Sequence, residues 1–201
     1  MNTPGRARAV DPGLLVAAGV VCTALIAGYV DAVVFSGSSH GHRFGSLVDH
    51  HGHAFASLPA SRAFKVVAFG YTQCPEICPT TLVKVHRVLD ALGPVGNQVT
   101  PLFITLDPAH DTPQALELYT AMFDPRIIGI TGSTREMRAF ASTYGVYPRD
   151  EDPTDMHEAI SHSSMIYLLG HDNEMLAVYR PALSPQSIAS DIGHMVEIAT
   201  K

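Results

Sequence analysis

Short apolar runs alternate along the chain with segments whose apolar residues recur every three or four positions. The apolar runs lie at Phe64–Gly70 and at residues 101–106 and 127–130. A short apolar run bounded by turn residues is typical of a strand buried on both faces of a parallel sheet. A segment with helical periodicity follows each run, so the pattern predicts βαβ units and an α/β fold with a parallel core.

Local signals predict where the helices begin and end. The first helix should begin near Cys78, because Pro79 is tolerated only in the first turn of a helix, and it should end at Gly93. Thr112 is the predicted N-cap of a second helix that reaches residue 123, and Ser133 has the capping-box spacing for a third that reaches residue 144. The apolar face of the first helix consists of Leu82, Val85, Leu89 and Leu92.

Both ends of the predicted sheet carry hairpin signals. Near the C-terminus, apolar runs at residues 160–169 and 175–179 flank a polar turn and predict a β-hairpin, followed by a helix from Pro185. Residues 41–55 are typical of two short strands around an Asp-His-His-Gly turn. We interpret the histidines there as solvated turn residues; metal loading is the alternative, with weak binding. They are His40, His42, His50, His51 and His53.

The N-terminal segment has the length and composition of a membrane anchor. Residues 12–30 carry no charge, and about 20 apolar residues cross a bilayer as a helix. We therefore predict a cytoplasmic tail at residues 1–11, a transmembrane anchor at 12–35 and one domain at 36–201. Arg6 and Arg8 precede the stretch, so the positive-inside rule places the domain outside, in the periplasm of a bacterium with a single-pass inner-membrane protein. A cleaved signal peptide is the alternative.

Composition adds two limits. The chain has 201 residues, of which 46% are hydrophobic, enough for the core of one domain of common size. Its formal net charge is −6, and it contains no long run of Lys or Arg. Phosphate binding needs clustered cations, so nucleic acid is excluded as a partner.

Cys74 and Cys78 have the clearest chemistry in the chain. They lie between the strand that ends at Gly70 and the helix predicted near Cys78. The N–H groups and dipole of a helix N-terminus favour thiolates, so we expect lowered pKa values for two partly exposed thiols. Such a pair can bind one soft ion, Cu(I) or Zn(II), or close a redox disulfide; the spacing, wider than Cys-x-x-Cys, favours metal. In an oxidising periplasm the dithiol also implies a thiol reductant as partner.

The run at residues 69–82, with both cysteines, resembles the Sco/SenC family of thioredoxin-like proteins implicated in copper delivery to cytochrome c oxidase. Residues 107–113 keep the family's pattern of Asp-Pro followed by Asp-Thr-Pro, with His110 where an arginine is common. The Ser-His-Ser segment at residues 161–163 is also similar to the family's histidine site. The resemblance implies a thioredoxin-like α/β fold with an N-terminal β-hairpin extension, here preceded by one transmembrane helix.

The resemblance also implies the function. Cys74, Cys78 and His162 would bind one copper ion, as Cu(I) or Cu(II), since this ligand set combines soft sulfur with a nitrogen donor. The protein would be a copper metallochaperone rather than an enzyme, with the copper-binding subunit of cytochrome c oxidase as its partner and another copper chaperone as a candidate donor. The alternative is a thiol–disulfide reductase that keeps the oxidase cysteines reduced; the missing proline before the C-terminal hairpin, where thioredoxin-like folds have a cis-proline, counts against it.

Two aspartates lie in the loop after the second predicted strand. Parallel strands bring their carboxyl ends to one edge of a sheet, so Asp107 and Asp111 should lie on the same edge as the cysteines. Asp107 as a turn former and Asp111 as a helix cap are at least as well supported as a functional role. The remaining histidines are interpreted as surface or packing residues; they are His86, His157, His171 and His194.

Overall fold

The computed structural model of the chain describes residues 46–58, 64–147 and 164–199. Within these residues six strands form one sheet in the order β1-β4-β3-β2-β5-β6. The strands are β1 (Val48–Asp49), β2 (Phe64–Gly70), β3 (Val99–Thr105), β4 (Ile128–Thr131), β5 (Ile166–Leu169) and β6 (Met175–Tyr179). The α-helices are α1 (Ile77–Leu92), α2 (Pro113–Ala121), α3 (Thr134–Ser142) and α4 (Pro185–Ala199), and short 3₁₀ helices lie at Phe55–Ser57 and Gly93–Gln98.

The centre of the sheet is parallel. β2 pairs with β3 along its whole length, from Phe64 opposite Val99 to Gly70 opposite Thr105, and β3 pairs with β4 in the same direction. β5 runs antiparallel to β2, and β6 antiparallel to β5. Every residue of β2 and β3 is buried, because elements pack on both faces of the sheet. The predicted βαβ units and the C-terminal hairpin are confirmed.

Each face of the sheet has its own apolar cluster. Strand side chains alternate between faces, so β2 contributes Val66 to one cluster and Val67 to the other. The first cluster includes residues of α1, α2 and α4 together with both cysteines, and the second includes Met137 and Phe140 of α3. The cysteines therefore belong to the face that α1 covers, at the carboxyl end of the central strand.

The helix ends follow the predicted signals closely. α1 begins at Ile77, one residue before the predicted start, and Pro79 is tolerated there because the first N–H groups of a helix have no intrahelical acceptor. The helix ends at Leu92, and Gly93 follows with a φ of 55°, a conformation that favours glycine. The Thr112 side chain accepts a hydrogen bond from Ala115 N at 3.2 Å, which confirms that residue as the cap of α2.

The predicted N-terminal hairpin is present in reduced form among the described residues. Its turn is where the sequence places it: the Asp49 carboxylate accepts hydrogen bonds from the N–H groups of His51 and His53 at 2.9 and 2.8 Å. The second strand, however, consists of one bridge between Ala54 and Val48, after which the chain enters a 3₁₀ helix. Phe55 is buried there against another aromatic ring, which turns the chain away from the sheet edge.

The predicted cytoplasmic tail and the anchor at residues 12–35 lie outside the described residues. In the part of the chain that the structure describes, no helix is both long and apolar enough to cross a membrane.

Candidate metal centre

Cys74 and Cys78 lie on either side of the start of α1, directly after the central strand. The loop from β2 turns at Tyr71, whose carbonyl accepts a hydrogen bond from Cys74 N at 3.2 Å. Glu76 is the N-cap residue of α1 but makes no capping bond with its side chain. The sulfur of Cys74 supplies such an acceptor instead, because Cys78 N donates to Cys74 Sγ at 3.4 Å. Both cysteines are free thiols.

The two thiols have different electrostatic environments. Burial alone would raise the pKa of Cys74, but hydrogen bonds from Cys78 and from the backbone N–H groups of Glu76 and Ile77 outweigh it and lower that pKa. Cys78 is only 1% exposed, and burial, opposed by the backbone of Tyr71, raises its pKa to about 12. The prediction of a lowered pKa is therefore correct for Cys74 and wrong for Cys78. The expected partial exposure is also wrong, since Cys74 is 9% exposed.

Gly70 provides the space for the Cys78 sulfur. A Cβ atom at position 70 would lie 2.5 Å from Cys78 Sγ and 2.9 Å from Cε2 of Phe103, both well inside normal contact distances. The helical side chain of Cys78 points back towards the N-terminus of α1, as helical side chains do, and so reaches the end of β2. Only a glycine at the end of this strand lets the sulfur occupy that position.

Asp111 holds the cysteine loop against the neighbouring strand. Its carboxylate is 1% exposed and accepts hydrogen bonds from Thr72 N at 3.1 Å, from Thr72 Oγ1 at 2.5 Å and from Thr105 Oγ1 at 2.5 Å. The sequence placed Asp111 at the correct edge, but its interpretation as a helix cap is wrong, because Thr112 caps α2. Asp111 joins the loop between β2 and α1 to the end of β3.

Asp107 and His110 form a local turn, as expected for Asp107. The carbonyl of Asp107 accepts hydrogen bonds from the N–H groups of His110 and Asp111 at 3.2 and 2.9 Å. The His110 ring lies 2.8 Å from the Asp107 carboxylate, with both side chains at least one-third exposed. In this chain the histidine at the position where an arginine is common thus has a partner within its own loop.

The third predicted ligand, His162, lies outside the described residues. The structure therefore brings together two of the three predicted site residues, Cys74 and Cys78. It adds one side chain that the sequence did not single out for this site, Tyr119, a buried residue of α2 in the same apolar cluster as both cysteines. Tyr119 has no local sequence signal, because it joins the cysteines only through the packing of the fold, whereas the position of Asp111 after a predicted strand placed it at this edge.

His86 is not an isolated surface residue, although it was interpreted as a surface or packing residue. Its ring lies 2.8 Å from Asp124 and 3.2 Å from Asp90, the one group of three possible metal ligands found among the described residues. Arg126 pairs with both carboxylates, at 2.5 Å from Asp124 and 2.7 Å from Asp90. The negative charge is thus already matched by a guanidinium, and the group is an ion-pair cluster that joins α1 to the loop after α2.

A mixed α/β sheet with a free dithiol where its central strand leads into a helix defines a class of α/β proteins built around two thiols. Within that class, the chain belongs to the SCO1/SenC family, whose family model matches residues 36–197.

Curated relatives and solved structures agree with this membership. Protein sco1 of Schizosaccharomyces pombe is 35% identical over 152 residues, which cover 74% of this chain and 58% of that protein. The chain spans 51% to 70% of the length of the curated relatives it matches. Yeast Sco1 with copper bound has a TM-score of 0.64 at 30% identity, covering 76% of this chain and 86% of that one. Bradyrhizobium japonicum ScoI with copper bound has a TM-score of 0.62 at 30% identity, covering 74% and 95%. The sheet is that of the thioredoxin-like Sco structures.

Proposed function

We propose that this protein is a copper metallochaperone that holds one copper ion and delivers it to the copper centre of cytochrome c oxidase. The observation that carries the proposal is the pair of free thiols at the start of α1, where Cys78 N donates a hydrogen bond to Cys74 Sγ at 3.4 Å. Two thiols brought together at a helix N-terminus can bind one soft metal ion between them. Thiolate sulfur favours soft ions, Cu(I) or Zn(II), and the copper-bound yeast and Bradyrhizobium relatives support copper here.

The unequal thiols fit metal exchange. Cys74, with its lowered pKa, offers a thiolate to an incoming ion, whereas Cys78 keeps its proton until a metal displaces it. Cys74 also has the greater exposed fraction of the two, so a thiolate of a partner would meet the ion from its side. We assign His162 as the third ligand; its support is the family resemblance of the Ser-His-Ser segment and the preference of copper for imidazole nitrogen beside sulfur.

The same proposal includes location and partners. We infer a single-pass inner-membrane protein, anchored by residues 12–35, with its domain in the periplasm. Its partners are then the copper-binding subunit of the oxidase, another copper chaperone as donor, and a thiol reductant, because an oxidising compartment converts a metal-free dithiol to a disulfide.

The test is an anaerobic Cu(I) competition titration of the purified full chain in detergent. Cys74→Ala, Cys78→Ala and His162→Ala should each weaken Cu(I) binding by at least about tenfold, since each removes one metal ligand. His194→Ala is the matched control: this histidine is exposed on α4, and its removal should leave the affinity unchanged. Wild-type affinity for Cu(I) in the Cys78→Ala variant would refute the site.

A thiol–disulfide reductase is the second candidate, and the difference between the two thiols favours it as well. A lowered pKa at Cys74 beside a buried Cys78 is the arrangement of an attacking thiolate and a resolving thiol. The reduction potential of the dithiol separates the candidates. A potential low enough to reduce oxidase cysteines, combined with weak Cu(I) binding, would favour the reductase over the metallochaperone.

A further inference from the structure

Tyr119 has a buried hydroxyl for which the described residues supply no hydrogen-bond partner. The side chain is 8% exposed, and its hydroxyl oxygen has essentially no contact with solvent. Buried hydroxyls without a partner are rare in native proteins, and each calls for an explanation, such as a partner that is present only in another state of the protein.

The surroundings of Tyr119 point to Cys78. Its ring packs against Phe103, with 5.5 Å between the ring centroids. Phe103 in turn lies against Gly70, and the Cys78 sulfur occupies the space beside the same glycine. Burial, and after it the charges of Cys78, Cys74 and Asp111, raise the pKa of the Tyr119 hydroxyl. Tyr119, Cys74 and Cys78 are all members of one buried apolar cluster, in which the hydroxyl keeps its proton.

We propose that Tyr119 is a positioning residue of the copper site, whose hydroxyl donates a hydrogen bond to Cys78 Sγ when that sulfur binds copper as a thiolate. The proposal rests on the proposed function. When Cu(I) binds, the S–H bond of Cys78 breaks, its proton passes to solvent and the Cu–S bond forms, while Tyr119 keeps its own proton. A thiolate in this buried position needs hydrogen-bond donors. The backbone of Tyr71 supplies one. Among the described residues, the Tyr119 hydroxyl is the one buried side-chain donor that has no partner.

The chain offers a matched pair of variants. Tyr119→Phe keeps the ring and removes only the hydroxyl without a partner, so the urea midpoint of the metal-free protein should stay unchanged or rise. Tyr179→Phe also removes a hydroxyl from a buried ring of the same apolar cluster, but that hydroxyl donates to Asp191 at 2.8 Å, so its midpoint should fall.

Cu(I) affinity should show the opposite pattern. We expect a loss of about tenfold for Tyr119→Phe, as for one hydrogen bond to a charged acceptor, and no change for Tyr179→Phe. A direct readout is proton NMR, because Cu(I) is diamagnetic: Cu(I) should bring out one slowly exchanging hydroxyl proton in the wild type that is missing in Tyr119→Phe.

The outcomes separate the two proposals. If the wild type binds Cu(I) and Tyr119→Phe binds it equally well with no missing hydroxyl signal, the tyrosine proposal is overturned and the metallochaperone stands. If the wild type does not bind Cu(I), the metallochaperone is overturned and the tyrosine proposal with it. Equal losses of affinity in both variants would show a general packing effect and would also overturn the role of Tyr119.

Discussion

Replacing Asp111 by alanine should detach the cysteine loop from the sheet. The carboxylate accepts three hydrogen bonds, from Thr72 N, Thr72 Oγ1 and Thr105 Oγ1, in a position that is 1% exposed. Alanine offers no acceptor, and Thr105 is completely buried while Thr72 is half-buried, so water reaches the Thr105 hydroxyl only if the loop moves. The variant must either leave buried donors unsatisfied or open the loop to water.

The magnitude follows from the donors left behind. A buried donor without a partner costs about 1–3 kcal/mol, and the N–H of Thr72 cannot turn to another acceptor. The two threonine hydroxyls can rotate, so together they count as about one further donor. We expect Asp111→Ala to lower the free energy of unfolding by about 2–4 kcal/mol, which a domain of ordinary stability, about 5–15 kcal/mol, survives folded.

Asp111→Asn tests whether charge or shape matters. The amide keeps one acceptor oxygen but turns an NH₂ group towards donors, so one hydroxyl must reverse to accept. The loss should be smaller than for alanine, about 1–2 kcal/mol. Asp107→Ala is the control, since its carboxylate is 35% exposed and pairs with an exposed histidine, a contact worth about 0–1 kcal/mol.

Urea unfolding gives the free energies, and hydrogen exchange of the Thr72 amide gives the local effect. In Asp111→Ala that amide should exchange much faster than in the wild type, and Cu(I) affinity should fall several-fold because the loop no longer holds Cys74 in place. If Asp111→Ala loses no more stability than Asp107→Ala and the Thr72 amide stays protected, the role assigned to Asp111 is refuted.

Two further predictions concern the sulfur of Cys78. Gly70→Ala should lower the free energy of unfolding, measured in urea, by about 1–3 kcal/mol and weaken Cu(I) binding, because its Cβ would lie 2.5 Å from Cys78 Sγ. The control is Gly193→Ala in α4, where a Cβ meets nothing within 4 Å, and it should stabilise the protein by up to about 1 kcal/mol. Equal behaviour of the two variants would contradict the clash. Since the pKa of Cys78 is raised to about 12, its proton is still bound in the metal-free protein between pH 7 and 9 and must leave when Cu(I) binds, so affinity should rise at least about tenfold per pH unit; competition titrations that find a pH-independent affinity would contradict this.

The sequence predicted the elements well where the signals are local. The bounds of β2 match the apolar run, and Thr112 caps α2, because burial on both faces and capping leave residue-by-residue traces. The length of the second strand of the N-terminal hairpin was overestimated. That strand ends where Phe55 packs against an aromatic ring distant in sequence, and the local alternation of apolar and polar residues does not encode such a contact.

The position of the two cysteines at the start of a helix was predictable, and their electrostatics less so. Spacing and the helix start identified Cys74 and Cys78, but a helix dipole argument treats both thiols alike. Which sulfur receives the N–H groups and which is buried above Gly70 depends on how α1 crosses the end of β2. Asp111 was placed at the right edge with the wrong role, because its donors come from two other segments, at Thr72 and Thr105.

These contacts explain how one helix start prepares two thiols differently. Cys74 precedes the helix, so the free N–H groups of its first turn converge on the sulfur and stabilise a thiolate. Cys78 lies within the helix, so its side chain points back over Gly70 into the apolar cluster, where a proton is favoured over a charge. A metal that binds both sulfurs must displace the proton from Cys78, and a rising proton concentration drives the reverse reaction. The difference between the two thiols would therefore make metal release sensitive to pH, because acid returns the proton to Cys78.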